Sequence, residues 1–124
     1  MIQTKRVYEP LTPEDGASYL VERLWPRGIR KIGLKIEAWC RDVAPSTELR
    51  KWFAHDPAKW AEFKSRYRVE LSERPEAWEP LLAAARSGTV TLLYSARDTE
   101  HNSALLLKDF LEERSRKART NRAK

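Results

Sequence analysis

The chain has 124 residues, one domain's worth, with 41% hydrophobic and 34% charged residues. No apolar run approaches the roughly 18 residues of a membrane span, and Met1 to Arg6 lacks a signal peptide's apolar stretch. A single cysteine, Cys40, excludes an internal disulfide framework and fits a reducing compartment, so the reading is of a cytoplasmic protein with no membrane partner.

The net charge of +6 suggests nucleic acid until the charges are placed. From Arg114 onward there are six basic residues and no acid, so residues 1–113 carry 18 of each sign. The excess lies in a C-terminal tail, which predicts a single α/β domain over 1–114 followed by a frayed basic tail over 115–124. A second basic cluster is local. Arg23, Arg27, Arg30, Lys31 and Lys35 surround Trp25, Pro26 and Gly28, with Glu22 the one opposing acid.

Along the chain, Ile2 to Tyr8 reads as a first strand, and Pro10, Pro13, Asp15 and Gly16 as a turn-rich connector. Tyr19 to Leu24 reads as a second, central strand that stops at Trp25-Pro26. Residues 26–35 read as a loop, and Ile36 to Val43 as either an edge strand or a helical turn. Ser46 is placed to N-cap a short helix ending near Ala54-His55, and Asp56-Pro57 to start the next. Trp60, Phe63, Tyr67 and Leu71 fall on one face of that helix. Pro75 ends or kinks it, and Trp78 with Leu81-Leu82 opens another that Gly88 would cap. Thr89 to Tyr94 is the most buried strand of the pattern, Ser95 to Asp98 a turn, and Asn102 the start of a long last helix.

Strands interleaved with helices predict an α/β layer fold, a small, mainly parallel sheet flanked by helices. Ligands of such sheets sit outside the carboxyl ends of the strands. Two turns meet that description, Trp25 to Gly28 and Ser95 to Asp98, and they are expected side by side.

Several blocks are long and distinctive. They are Leu20 to Gly28, Ala44 to Phe53 with His55-Asp56-Pro57, the Trp60, Phe63, Arg66-Tyr67 and Glu70-Leu71 series, and Thr91 to Asp98 with Asn102. In them the chain resembles the YeaO-like family, a bacterial family built on domain of unknown function 488. Glu22 departs from the Asp that the family's pattern carries there. The resemblance implies a compact cytoplasmic α/β domain and supplies no reaction or catalytic residues.

The residues exclude several sites. No glycine-rich dinucleotide or P-loop pattern occurs, and two histidines with one cysteine give no zinc spacing, so no cofactor is expected. His55 beside Asp56 reads as a linker next to a helix cap, His101 as a solvated residue in the last helix's first turn, and Cys40 as a buried hydrophobe. The candidate ligand-binding residues are Glu22, Arg23, Trp25, Arg27, Arg41, Asp42, Ser95, Arg97, Asp98 and Asn102. Arg23, Arg27 and Arg97 would supply charge, exposed Trp25 would stack on a flat group, and Glu22 or Asp98 would act as acid, base or hydroxyl ligand. The competing account pairs Glu22 and Arg23 with Arg41 and Asp42, or with Arg97 and Asp98, in a buried ionic network. The functional reading is an anionic small molecule, a nucleotide or sugar phosphate, bound at the sheet's carboxyl edge; a small transferase or hydrolase would fit, but no residue pair proves a reaction. The alternatives are a nucleic-acid-binding accessory protein using the basic loop and tail, and a non-catalytic interaction module.

Overall fold

The computed structural model describes residues 1–123, with side chains through residue 117. Four parallel strands, β1 (Ile2–Arg6), β2 (Ala17–Leu20), β3 (Ala38–Trp39) and β4 (Val90–Tyr94), lie in the order β1-β4-β2-β3. Four helices complete the fold: α1 (Thr47–Phe53), α2 (Trp60–Ser72), α3 (Pro75–Ser87) and α4 (Ser103–Ala123). The expected α/β class and parallel sheet are what the chain forms.

All five residues of β4 are buried, as a strand between two parallel neighbours requires. Its side chains alternate between two unlike faces. Val90, Leu92 and Tyr94 join the main core with Phe63, Tyr67, Leu81, Leu107 and Leu111 from the helices. Leu93 turns the other way, to Val7 and Leu20. Among the described residues no helix covers that second face. Trp25, Ile29, Leu34 and Ile36 from the segment between β2 and β3 cover it instead, with Leu11 and Trp39. The sheet is therefore faced by helices on one side and by loop on the other.

The helices begin where their caps are. The Ser46 hydroxyl accepts from the Leu49 N–H at 3.1 Å, and Asp56 accepts from the Ala58 N–H at 3.0 Å ahead of a single turn, Pro57–Lys59, that runs into α2. Phe63, Tyr67 and Leu71 form the buried stripe of α2, with Trp60 half-buried at its start. Phe53 of α1 stacks on Phe63 with ring centroids 4.3 Å apart. Pro75 opens α3 as its first residue, and the Trp78 indole closes the α2–α3 corner by donating to the Leu71 carbonyl at 2.8 Å.

Some boundaries differ from expectation. β2 ends at Leu20 rather than Leu24, because the chain leaves the sheet and Leu24 stands exposed. Residues 36–43 contain both alternatives, strand β3 and then a 3-10 turn at Arg41–Val43. Gly88 has φ 169°, extended backbone, so it is not a left-handed helix cap. The boundary expected after Arg114 falls inside α4, and the tail's side chains from 118 on lie outside the described residues.

Candidate functional site

The register of the sheet builds the site. Leu20 of β2 pairs with Leu93 of β4, so two residues later Glu22 and Ser95 emerge side by side at the carboxyl end. The Glu22 Oε1 accepts both from the Ser95 backbone N–H and from its hydroxyl, the latter at 2.8 Å. Arg23 turns toward the entry of α1. Its Nε and Nη2 donate to the carbonyls of Pro45 and Ala44, each at 3.1 Å. Glu70 of α2 grips the same entry, accepting from the Ser46 N–H at 2.9 Å and its hydroxyl at 2.6 Å. Helix α1 is thereby held across the strand ends, and its last turn brings Arg50 and Lys51 to the opening. Ala54 and His55 then take left-handed backbone, with φ 48° and 57°, which swings His55 back over it.

These elements enclose a cleft of about 750 Å³. Its walls include the aromatic faces of Phe53, Phe63 and Tyr94, and its rim carries Arg23, Arg50, Lys51 and Arg97 against Glu22 and Asp98. Among the described residues, Arg50, Lys51 and Arg97 have no carboxylate partner. Tyr67 lies under this polar layer, fully buried and donating to the Val43 carbonyl at 2.6 Å. Burial pushes its phenol far above the ordinary range, and the nearby Glu70 adds to the effect.

The loop from Ser95 to α4 is held by its own polar groups. Asp98 Oδ1 accepts from the N–H groups of Glu100 at 2.9 Å and His101 at 3.0 Å, and Oδ2 meets His101 Nδ1 at 3.0 Å. The Glu100 N–H does most to hold the Asp98 carboxyl below its usual value, with the His101 contacts adding to it. Asn102 is buried; its Nδ2 donates to the Asp98 carbonyl at 3.1 Å and its Oδ1 accepts from the Leu105 N–H at 3.0 Å, capping α4. Asp98 and Asn102 line the cleft, yet their polar atoms are occupied in shaping this loop.

Six of the ten candidates therefore meet: Glu22, Arg23, Ser95, Arg97, Asp98 and Asn102. Four do not. Trp25 is half-buried on the second face, edge-on to Trp39 at 5.2 Å, with its indole N–H on the Ile29 carbonyl at 2.6 Å. It serves as cover for the sheet rather than as an exposed stacking surface. Arg27 is exposed on that side, its carbonyl accepting from the Tyr8 hydroxyl at 3.0 Å. Arg41 lies over the Trp39 ring at 4.2 Å, and Asp42 is exposed. The residues beside Ser95 to Asp98 are thus Glu22 to Leu24, not Trp25 to Gly28, because β2 ends four residues early. The buried ionic network is not formed either, since Glu22 is bound to Ser95 and Arg23 to carbonyls.

Sequence reasoning missed Arg50 and Lys51, and it set aside His55 as a linker and His101 as a solvated residue, although both line the cleft. The first two look like the cations that ordinarily end a helix, so nothing in their spacing marks them. His101 lies before α4 rather than in its first turn, edge-on to Trp60 at 5.1 Å. Cys40 is half-buried, which raises its thiol pKa. Among the described residues, no three His, Cys, Asp or Glu side chains converge as metal ligands would, and no helix is long and apolar enough to cross a membrane.

Comparison with known proteins gives a consistent answer. The model of the family DUF488-N3i, described as the inactive DUF488-N3 subclade, matches residues 1–124. The uncharacterised protein YeaO of Escherichia coli (strain K12) is 44% identical over 110 residues, 89% of this chain and 96% of its own. The uncharacterised protein Rv3073c of Mycobacterium tuberculosis (strain H37Rv) is 41% identical over 113 residues, 91% of this chain and 95% of its own. No solved structure matches.

Proposed function

The chain belongs to the DUF488-N3i family, and we propose that it binds an anionic small molecule, a nucleotide or sugar phosphate, without turning it over. The observation that carries this reading is the set of three cations, Arg50, Lys51 and Arg97, that rim an aromatic-walled cleft with no carboxylate among the described residues to neutralise them. Such groups favour phosphate, which is multiply charged and offers several acceptor oxygens. The aromatic walls would take the ligand's less polar part. The description of the family as inactive supports binding over catalysis. So does the use of Asp98 and Asn102 inside their own loop, where the Asp98 oxygens and the Asn102 amide already hold the backbone.

The experiment is calorimetric titration with inorganic phosphate, AMP and glucose 6-phosphate. Binding that weakens in Arg97→Ala and Arg50→Ala supports the reading, and no heat from any of the three defeats it. A second reading rests on a different surface. Arg27, Arg30, Lys31 and Lys35 are exposed beside the second face, and Lys31 lies 5.6 Å from the rings of both Trp25 and Trp39. That composition suits a nucleic-acid backbone. Retention of single-stranded RNA that falls steeply with salt, and is abolished by replacing these four with Ala, would favour it.

A further inference from the structure

The two carboxylates on the rim of the cleft are not equivalent. Asp98 has both oxygens engaged, Oδ1 by two backbone N–H groups and Oδ2 by His101. Glu22 receives both of its hydrogen bonds on Oε1, from the Ser95 N–H and hydroxyl, and Oε2 has no partner. Two donors from one residue anchor Oε1, which limits how far the free oxygen can swing with the side chain. The neighbouring arginine has the same asymmetry. Nε and Nη2 of Arg23 are tied to the carbonyls of Pro45 and Ala44, and Nη1 has no partner. The cleft thus presents, from adjacent positions on one strand end, a fixed charged acceptor and a fixed charged donor.

We propose that Glu22 and Arg23 form a hydroxyl subsite that selects a pentose bearing its 2-hydroxyl, the ligand's phosphate being held by Arg97, Arg50 and Lys51. This rests on the anion-binding reading above and adds which part of the ligand meets which residues. An alcohol is both donor and acceptor, so its O–H can donate to Glu22 Oε2 while its oxygen accepts from Arg23 Nη1. A phosphate at the pH of the cell offers acceptors to Glu22 and is repelled by it. The free Glu22 oxygen therefore does two things: it recruits a hydroxyl and turns the phosphate toward the far rim. A ligand lacking the hydroxyl leaves both groups facing the cleft unpaired, which is where sites of this kind gain most of their discrimination.

The test is titration of inorganic phosphate, ribose 5-phosphate and AMP, with 2-deoxyribose 5-phosphate and 2′-deoxy-AMP as counterparts, against the wild type and Glu22→Gln. Gln keeps a carbonyl oxygen for the two Ser95 donors but replaces the free acceptor by an NH₂ and removes the negative charge. The expected result is a preference of the wild type for the hydroxylated member of each pair by about tenfold, as for a hydrogen bond to a charged group. In Glu22→Gln that preference collapses while inorganic phosphate binds equally well or about twofold tighter, since a like charge has gone. Opposite responses of pentose and phosphate cannot come from a merely unfolded or loosened variant. The wild-type comparison of each pair stands even if Glu22→Gln does not fold. Binding that ignores the hydroxyl in both pairs, or that falls in parallel for every ligand in Glu22→Gln, overturns the subsite and leaves the anion reading standing. Failure of inorganic phosphate, ribose 5-phosphate and AMP all to bind overturns the anion reading. Discrimination confined to AMP identifies a nucleotide; discrimination in ribose 5-phosphate as well identifies the sugar phosphate as sufficient.

Discussion

The sheet carries a polar cluster at each end, and the two are built on opposite plans. At the amino end Asp15 is buried, and its oxygens accept from Lys5 Nζ at 2.8 Å, the Thr12 N–H at 2.7 Å and the Gln3 amide at 3.1 Å. Its carbonyl takes the Thr91 hydroxyl at 2.6 Å. This cluster binds three segments of chain to one another, and its charges meet each other. At the carboxyl end the charges outnumber their partners, and Arg50, Lys51, Arg97 and one oxygen of Glu22 face open space. A cluster that saturates itself contributes to stability. One that leaves charges unpaired contributes little to stability and is ready for a ligand. The comparison assigns stability to one end of the same strands and, on the proposed function, recognition to the other.

The sharpest way to break this division is at Gly16, between the Asp15 cluster and β2. Its φ is +63°, and a Cβ there would stand 2.2 Å from the Thr89 carbonyl oxygen, which accepts from the Ala17 N–H. Gly16→Ala is expected to cost about 3 kcal/mol or more from left-handed strain and the backbone clash, read as a fall in melting temperature. The next effect is at Asp15. Asp15→Ala leaves Lys5 and the Thr12 N–H without their acceptor and should cost about 2–3 kcal/mol in urea unfolding.

Asp15 also makes a pH-dependent prediction. Its pKa is lowered in the folded state, first by the hydrogen bond from Lys5 and next by that from Thr12. A depressed carboxyl stabilises the fold above its unfolded value, about 3.9, and that contribution is lost as pH falls through the lower folded value. Asp15→Asn should therefore flatten the acid limb of the stability profile below about pH 4. The smallest stability effect is expected at the other end. Arg97 is exposed and unpaired, so Arg97→Ala should change unfolding free energy by less than about 0.5 kcal/mol, while removing the rise in melting temperature that millimolar phosphate is expected to give the wild type on the proposed function. A large loss of stability in Arg97→Ala would erase the contrast between the two ends.

Much of this architecture is readable before the structure, and the pattern of what is not readable is physical. Thr89 to Tyr94 is recognisable as a buried strand because both faces are apolar, and the α2 stripe because its spacing follows the helical turn. Ser46, Asp56 and Asn102 act as the helix starts their side chains suggest. Trp25 misleads because an indole beside a proline after a strand fits either a ligand wall or a cover for the sheet. The choice depends on how far β2 runs, and strand ends leave the weakest mark in sequence. Arg50 and Lys51 enter the cleft only because Glu70 and Arg23 dock α1 there, a long-range arrangement that no local spacing encodes. Glu22 and Arg23 are recognisable as costly charges, but their partners are a serine and two carbonyls, which composition cannot single out.

The absence of a helix over the second face, among the described residues, has a consequence for the order in which this protein opens. The cover is the segment between β2 and β3, which holds Leu20 and Leu93 beneath half-buried side chains rather than a layer of helix. It is anchored to the sheet by few main-chain bonds, notably Glu37 N–H to the Ser18 carbonyl, with Cys40 N–H to the Leu20 carbonyl just beyond β3, both 2.7 Å. Such a segment forms its own cooperative unit at the low end of the stability scale. In hydrogen exchange, amides of residues 24–40 should lose protection through partial opening well before those of β4, which exchange only with the whole fold. Because Glu22 and Arg23 lie at the start of this segment, a ligand that fastens them should slow its exchange, so that residues 25–37 report on occupancy of a cleft they do not line.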